Sequence, residues 1–394
     1  MSTDVLQKAT GLNFELSEEQ QLIRDSIRDF VERHVKPGVK ERDTSKEFPH
    51  DLVKKLAEQG FMGMVHPEKY GGGGVGHVSF CLAIEEIARW DASLALTVAS
   101  HTSLASGHIA LAANKSQKEK YLTPLAKGEK LGAWCLTEPG SGSDASGMKT
   151  TAIKKDDKYI LNGTKIFITQ GSVGDTFVVL AKTDPDKGTK GISAFIIEGD
   201  WDGVESGKKM EKLGMNSSDT TEVIFEDVEV PEENLLGELG RGFVDTMKVL
   251  DGGRIGIGAL SVGIARGALE ESLKYSGERK QFGSPIGDFQ AIETKISNIA
   301  TEVDAARMLV HRAAWLKDQD KPFTKEVSMA KLFASELAVR AADEAVQIHG
   351  GYGYIKEYHV ERFMRDAKLM TIGEGTSEVQ RMIIGRELKK EFWG

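Results

Sequence analysis

KYILNGTKIFIT, residues 158–169, is the stretch whose reading separates one part of this chain from the rest. Tyr159, Ile160 and Leu161 precede Asn162-Gly163, and Ile166, Phe167 and Ile168 follow it. Asn-Gly readily supplies the two positive φ values that a type I′ turn needs, so the stretch predicts a β-hairpin. Similar β-branched and aromatic runs follow at 176–182, 191–197 and 221–225. Helical spacing stops at Leu131 and returns at Gly242, so residues 131–240 are expected to form a β domain.

Working outward, the N-terminal side reads as helical. Ser17 and Gln20 make a capping-box pattern, and Leu22, Ile23, Ile27, Phe30 and Val31 carry a helix that should stop before Pro37. Pro49 opens another through Leu52, Val53 and Leu56, with Gly60 as its stop. GGGGVG at 71–76 reads as a loop between helices; it lacks the ending of a phosphate-binding P-loop. From Val78 to about Ala113 the chain is apolar on most faces, as buried helices are, and Ser116 with Glu119 suggests a second capping box before Pro124. On the C-terminal side, Gly242 starts a helix through LDGGRIGIGALSVGIARGAL, whose small residues permit close packing or close ligand approach. Further helices are expected over 286–317 and 324–348, where Gly350 and Gly351 break the last. The order is helices over 1–130, β over 131–240 and helices over 241–394, an α+β class.

At 394 residues the chain is long enough for two or three domains with a large core. Its 60 acidic residues outnumber 51 basic ones, a net charge of −9, which argues against nucleic acid or an anionic membrane as main partner. Cys81 and Cys135 are too few for a disulfide framework or a zinc site; both lie in apolar runs and are expected to be buried, reduced thiols, and no metal is expected. No run of about 18 apolar residues suggests a membrane span. MSTDVLQKATGLNF lacks a signal-peptide core and an Arg-rich transit pattern, so a cytoplasmic, prokaryotic protein is the expectation.

Candidate chemistry lies near the C-terminus, in GEGTSE at 373–378. Glycines on both sides of Glu374 let backbone approach a ligand closely, so this carboxylate can point into a dry pocket and serve as a base. The same residues also read as a loop and helix start, with Thr376 or Ser377 as cap. Taken with WCLTEPGSGSDASGMKTTA near residue 140, and with LDGGRIGI, ERKQFG, QIHGGYGY, VERFMRDAK and EGTSEVQR in that order, the segment resembles the acyl-CoA dehydrogenase family. The resemblance covers essentially the whole chain and is closest to the short-chain, butyryl-type members.

The resemblance implies an N-terminal helical domain, a middle β-barrel or sandwich and a C-terminal four-helix bundle. It implies FAD as cofactor and a reaction that converts a short-chain acyl-CoA to its trans-2-enoyl-CoA. Glu374 would take the pro-R α proton, flavin N5 would accept the β hydride, and electrons would pass to an electron-transferring flavoprotein. An α proton beside a thioester is too weakly acidic for a solvated glutamate. The site must therefore raise the base pKa by desolvation and stabilise charge on the thioester oxygen, for which the Glu374 backbone N–H and a ribityl hydroxyl are the implied donors. A minority of relatives carry the acid just before the arginine of LDGGR, a position that here is Gly253. Asp251, Arg254 and Gly375 match positions that line the substrate pocket, although Asp251 and Arg254 read equally as an i,i+3 ion pair.

By the same resemblance Trp134, Leu136, Thr137, Gly142 and Ser143 lie along the flavin, with Ser143 also near the CoA arm. Phe167 and Thr169 should cover the ring and reach N5; from the strand pattern alone Phe167 is a core residue. GSGSDASG at 140–147 follows no βαβ pattern, so it is no dinucleotide fingerprint. Arg279 and Phe282 match pyrophosphate and adenine contacts made from a neighbouring subunit, although Arg279 also reads as a solvated charge beside Glu278. Gln290, Gln347, Gly351, Thr376 and Glu378 are carried over likewise. A site built across subunits implies a homotetramer, or at least a dimer. Gly373 stands where many short- and medium-chain members carry tyrosine, which opens the pocket to branched, cyclic or longer acyl groups. A dicarboxylic substrate is disfavoured, because the helix at 93–104 offers no arginine and its His101 reads as structural. A flavin oxidase of the same fold is a second reading; such oxidases usually carry a further C-terminal domain, where this chain ends at Gly394. A non-catalytic nucleic-acid-associated relative would need a basic face and leave Glu374 unexplained.

Overall fold

Ser17 caps the first helix as its spacing predicts: its hydroxyl accepts from Gln20 N while the Gln20 side chain accepts from Ser17 N. The computed structural model describes residues 15–393, so the reading of MSTDVLQKATGLNF lies outside the described residues. The N-terminal helices are α1 (Glu18–Phe30), α2 (Val39–Ser45), α3 (His50–Glu58), α4 (His77–Ala88), α5 (Ala92–Ala99) and α6 (Ser106–Ala112). Between α1 and α2 the chain passes through a wide π turn and a tight 3-10 turn that holds Pro37. Gly60, at φ +79°, ends α3, and α4 and α5 are buried on nearly every face. The capping box expected at Ser116 and Glu119 lies instead at Asn114 and Gln117, whose side chains and backbone N–H groups bond reciprocally. Asn and Gln reach the same atoms as Ser and Glu, and with the helix starting at Lys115 the Ser116 hydroxyl falls inside the first turn.

Strands β1 (Gly132–Cys135), β2 (Thr151–Lys155), β3 (Lys158–Thr169), β4 (Thr176–Lys182), β5 (Ile192–Glu198), β6 (Val204–Ser206), β7 (Thr220–Pro231) and β8 (Leu235–Leu236) form one sheet. Its order is β6-β7-β3-β2-β4-β5-β8, with β1 parallel to β4. The expected hairpin at Asn162-Gly163 is not formed, and β3 runs straight through that pair. The chain reverses earlier, at Asp156-Asp157, where Asp156 has φ +57° and Lys155 pairs with Lys158. At Gly163 the register with β7 slips, and a Cβ would lie 2.4 Å from the Thr150 hydroxyl, so Asn-Gly marks a β-bulge in a strand paired on both sides. The two-residue turn with both φ values positive occurs elsewhere, at Phe282 (+50°) and Gly283 (+84°), between Lys280–Gln281 and Ser284–Pro285.

Alternation along the strands builds two cores. Ala133, Cys135, Phe177, Val179, Phe195 and Ile197 pack with Tyr159, Leu161 and Phe225 in one of them. Their neighbours Trp134, Leu136, Val178 and Ile196 face the other way, onto Leu104, Ile109 and Leu125 of the N-terminal helices. Both cysteines are buried and free. The C-terminal helices are α7 (Gly242–Glu278), α8 (Gln290–Asp318), α9 (Thr324–His349), α10 (Val360–Met370) and α11 (Ser377–Trp393), which bundle with α4 against α7. A Cβ on Gly263 would sit 2.6 Å from the Glu85 carbonyl oxygen, so the small residues of α7 serve close contact with α4.

Candidate active site

The turn between α10 and α11 presents Glu374. Thr376 is the cap, its hydroxyl accepting from Val379 N at 3.3 Å. Glu374 has φ +54° and Gly375 φ +94°. A left-handed conformation costs a glutamate about 1–3 kcal/mol, so surrounding groups must hold it. Arg254 Nε and Gln380 Nε2 each donate to the Glu374 carbonyl at 3.3 Å. Lys331 Nζ and Gln380 Nε2 donate to the Gly375 carbonyl at 2.8 and 3.0 Å. Gly373 does not use a positive φ, contrary to the expectation that glycine's freedom is needed on both sides. A Cβ there would meet Leu369 only at ordinary distances of 3.7 and 3.9 Å, so what Gly373 provides is space.

The carboxylate is poorly satisfied. Glu374 is half-buried as a residue, yet its Oε2 is out of solvent and has no hydrogen-bond partner. It rests against bare backbone of α7: a Cβ on Gly253 would lie 2.2 Å from Oε2 and 2.7 Å from Leu104. Burial pushes the Glu374 pKa up to about 7, while the charges of Arg254 and Lys331 act to lower it. Both readings of Asp251 and Arg254 apply. They form the i,i+3 pair at 2.6 Å, and Arg254, almost fully buried, also reaches the Glu374 turn. Asp251 is further fixed by the Thr324 hydroxyl at 2.7 Å.

The β side contributes a second set. Trp134 and Leu136 are buried, and the Trp134 indole N–H donates to His108 Nδ1 at 3.1 Å. The Thr137 carbonyl accepts from Ile166 N at 2.9 Å, tying the exit of β1 to β3. Phe167 follows directly and is not a core residue: at φ +58° in the second register slip of β3, it leaves the strand's alternation and stands 63% exposed. Thr169 is half-buried at the end of β3, and Gly142 and Ser143 are exposed in the 140–147 loop. Glu138 pins that loop, accepting from Thr150 N and from Lys165 Nζ, the latter at 2.8 Å. Lys165 is fully buried and also donates to the Leu136 carbonyl. Sequence reasoning missed this pair; a lysine at an inward position of an apolar strand was the available signal.

The remaining residues gather elsewhere. Arg279 stacks over Tyr352, 5.5 Å from its ring centre, and lines a groove of about 480 Å³ with Tyr275, His349 and Gly351. His349 Nδ1 contacts the Ala345 carbonyl at 2.8 Å and so carries the proton, which leaves the buried Nε2 an acceptor without a partner. Phe282, 97% exposed on its hairpin, meets the Phe289 ring edge-on, and Gln290 starts α8 beside it. Gln347 is exposed on α9, sixteen positions from Lys331 and thus about 24 Å along the helix. Glu378 is exposed in the first turn of α11. The structure therefore brings Glu374, Gly375, Thr376, Asp251 and Arg254 together, and places the Arg279 group at the other end of α9. His101 is structural, bridging Gly132 N and the Leu125 carbonyl.

Comparison with known proteins agrees over nearly the whole length. The chain matches the acyl-CoA dehydrogenase N-terminal domain over residues 17–129, the middle domain over 133–228 and the C-terminal domain over 240–389. It is 47% identical over 377 residues to the short-chain specific acyl-CoA dehydrogenase of Clostridium acetobutylicum, covering 96% of this chain and 100% of that one. The chain belongs to the acyl-CoA dehydrogenase family. This acyl-CoA dehydrogenase is also 48% identical to a caffeyl-CoA reductase-Etf complex subunit of Acetobacterium woodii, covering 95% and 99% of the two chains. The solved structure of butyryl-CoA dehydrogenase from Megasphaera elsdenii matches with TM-score 0.94 at 47% identity, over 96% of this chain and 100% of that one. The family acts as oxidoreductases on acyl-CoA with FAD as cofactor. The residues fit that cofactor: an exposed aromatic ring at Phe167 suits a flat ring system, the open Arg279 fork a diphosphate, and the unpartnered His349 Nε2 a donor such as an amino or hydroxyl group. Among the described residues no cluster of His, Cys, Asp and Glu could hold a metal ion, and no helix is long and apolar enough to cross a membrane.

Proposed function

We propose that this acyl-CoA dehydrogenase removes the α and β hydrogens of a short-chain acyl-CoA, with Glu374 as the base. The observation that carries this is the dry, unpartnered Oε2 of Glu374, held in a strained turn against Gly253. A carboxylate with a pKa near 7 is a far better proton acceptor than a solvated one and is still ionised in part at neutral pH. Arg254 and Lys331 offset its burial, and the Glu374 backbone N–H is the protein donor aimed at the thioester oxygen. FAD, when bound, supplies the acceptor for the β hydride. Phe167 and Thr169 would cover its ring, Trp134, Leu136, Thr137, Gly142 and Ser143 would hold it along its length, and Asp251, Arg254, Ser143 and Gly375 would border the acyl-CoA. Thr376 and Glu378 flank the base. Arg279, Phe282, Gln290, Gln347 and Gly351 face outward at the far end of α9 and serve the adenosine half of a neighbouring subunit's cofactor, within a homotetramer. An electron-transferring flavoprotein is the electron partner, a reading supported by the relative that works in an Etf complex.

A second reading is enoyl reduction of a bulky aryl-acryloyl-CoA, favoured by the space at Gly373 and the caffeyl-CoA reductase relative. In that direction protonated Glu374 returns the proton to the α carbon.

Anaerobic titration with butyryl-, isobutyryl-, isovaleryl-, hexanoyl-, cyclohexanecarbonyl-, glutaryl- and dihydrocaffeyl-CoA, following the flavin absorption, names the substrate by which ester bleaches it. Glu374→Gln should keep its flavin and bind the same ester, with reduction slowed by roughly 10²- to 10⁴-fold. Turnover at the wild-type rate in that variant would remove Glu374 from the mechanism.

A further inference from the structure

Lys331 is fully buried on α9, on the face that carries Val327, Ala330, Ala334 and Ala338. An ammonium in such a place is costly unless paired, and an apolar side chain would pack there without that cost. Among the described residues Lys331 makes no ion pair; its hydrogen-bond partner is the Gly375 carbonyl, at 2.8 Å. Of the other charged groups near that turn, Lys317 of α8 lies beside Gly252 and faces Asp251, and the rest have partners or are exposed. From α7, Arg254 is paired with Asp251 at 2.6 Å. On α9, Glu336 pairs with Arg381 of α11 at 2.6 Å. Also on α11, Arg386 pairs with Glu387 at 3.0 Å, and Glu378 is exposed. Lys331 thus brings an ammonium with no ion pair of its own to the Glu374 carboxylate, whose charge it offsets together with Arg254.

We propose that Lys331 is a positioning residue for the base: its ammonium grips the Gly375 carbonyl, holds the left-handed Glu374-Gly375 turn in place, and adds to Arg254 a second counter-charge for the carboxylate once the proton has left. This rests on the reading of Glu374 as base. Burial lowers the Lys331 pKa to about 8 and raises that of Glu374 to about 7, and in each case the other residue's charge opposes the shift. A hydrogen bond alone would be served by a neutral donor; the charge is what an uncharged replacement lacks.

The test uses the substrate-free holoenzyme with ¹³C-carboxyl-labelled glutamate, the Glu374 resonance being the one absent in Glu374→Gln. In Lys331→Gln, which keeps a neutral N–H donor one bond shorter, and in Lys331→Met, which keeps none, the Glu374 titration midpoint should rise by about one unit or more, tenfold in its ionisation constant. In Lys331→Gln, flavin reduction by the bleaching acyl-CoA should be about fivefold slower at pH 7 and recover by about pH 9, whereas Lys331→Met should stay slow at both. An unchanged midpoint in Lys331→Gln overturns the charge role; equal rates for Lys331→Met and Lys331→Gln across the pH range overturn the grip on the turn. If Lys331→Met does not fold, Lys331→Arg replaces it, and loss of rate with the midpoint kept is then the expected sign of a displaced turn. The titration reports on the carboxylate whether or not it is the base, so failure of the base assignment shows separately, as wild-type turnover in Glu374→Gln.

Discussion

At the scale of single residues, the site depends on an absence: the carboxylate of Glu374 occupies the volume where any side chain on position 253 would begin. Gly253→Ala places a methyl group 2.2 Å from Oε2, so the carboxylate or Leu104 must move. An alanine in the middle of α7 favours the helix by roughly 0.5–1 kcal/mol relative to glycine. The expected result is a melting temperature equal to or above that of the wild type, with dehydrogenation slowed at least about tenfold, because misplacement by an ångström is enough to spoil proton transfer. Thermal melts and steady-state rates on the same preparation check it, and full activity would mean that the carboxylate reacts from another rotamer. The Asp251–Arg254 pair was legible in the sequence because an i,i+3 spacing is local, and Glu374 stood out between its glycines and through the family resemblance. Lys331 was not: its role exists only where α9 passes the turn before α11, 44 positions later in the chain. A lysine amid Val327, Ala330 and Ala334 on a helical face was a visible hint without a visible partner.

Elements show a different balance. The strands of the middle region were legible from composition and alternation, as β4 and β5 illustrate, but the turn joining them to their neighbours was not. Asn162-Gly163 has the chemistry of a hairpin turn and still lies inside β3, because β2 and β7 pair on its two sides and the pair is more useful as a bulge. The angles were realised by Phe282-Gly283, a dipeptide with only one residue suited to them, and the result is a small rigid finger that holds Phe282 in the open. Gly283→Val puts a β-branched residue at φ +84°, where it is strongly disfavoured, although nothing within 4 Å would obstruct it. The finger should distort while the core is untouched. Gel filtration should then show flavin content well below one per chain, with the melting temperature of the flavin-free protein unchanged; full flavin retention would detach the finger from cofactor binding.

For the molecule as a whole, the buried carboxyl of Glu374 carries a stability cost that depends on pH. Glu374 has its folded pKa raised from 4.5 to about 7, so relative to the unfolded chain stability is fully present below about 4.5 and is lost as pH rises through about 7. Asp366, buried beside the Met215 N–H that it accepts from, is raised to about 7 as well and slopes the same way. Glu374→Gln removes one of these contributions. Its advantage over the wild type in urea unfolding should be small at pH 4.5, grow through neutrality and level off above about pH 7.5, at no more than about 3 kcal/mol. A difference that stays flat with pH would show that burial does not perturb this acid. Glu85 and Glu86 behave oppositely: buried on α4, Glu85 is held ionised by Arg307 and Arg266 and Glu86 by Arg28 and Arg266, so they support the fold at neutral pH. The overlap of positions 253 and 374 also has a historical consequence. Two points far apart on the chain open onto one small space, which has room for a single acid. An acid cannot migrate from one position to the other by independent steps. The first substitution must create either two carboxylates crowded together or none, and on the reading of Glu374 as base neither intermediate keeps a single well-placed acceptor. Descendants of such a protein are held to the arrangement they inherited unless both positions change at once.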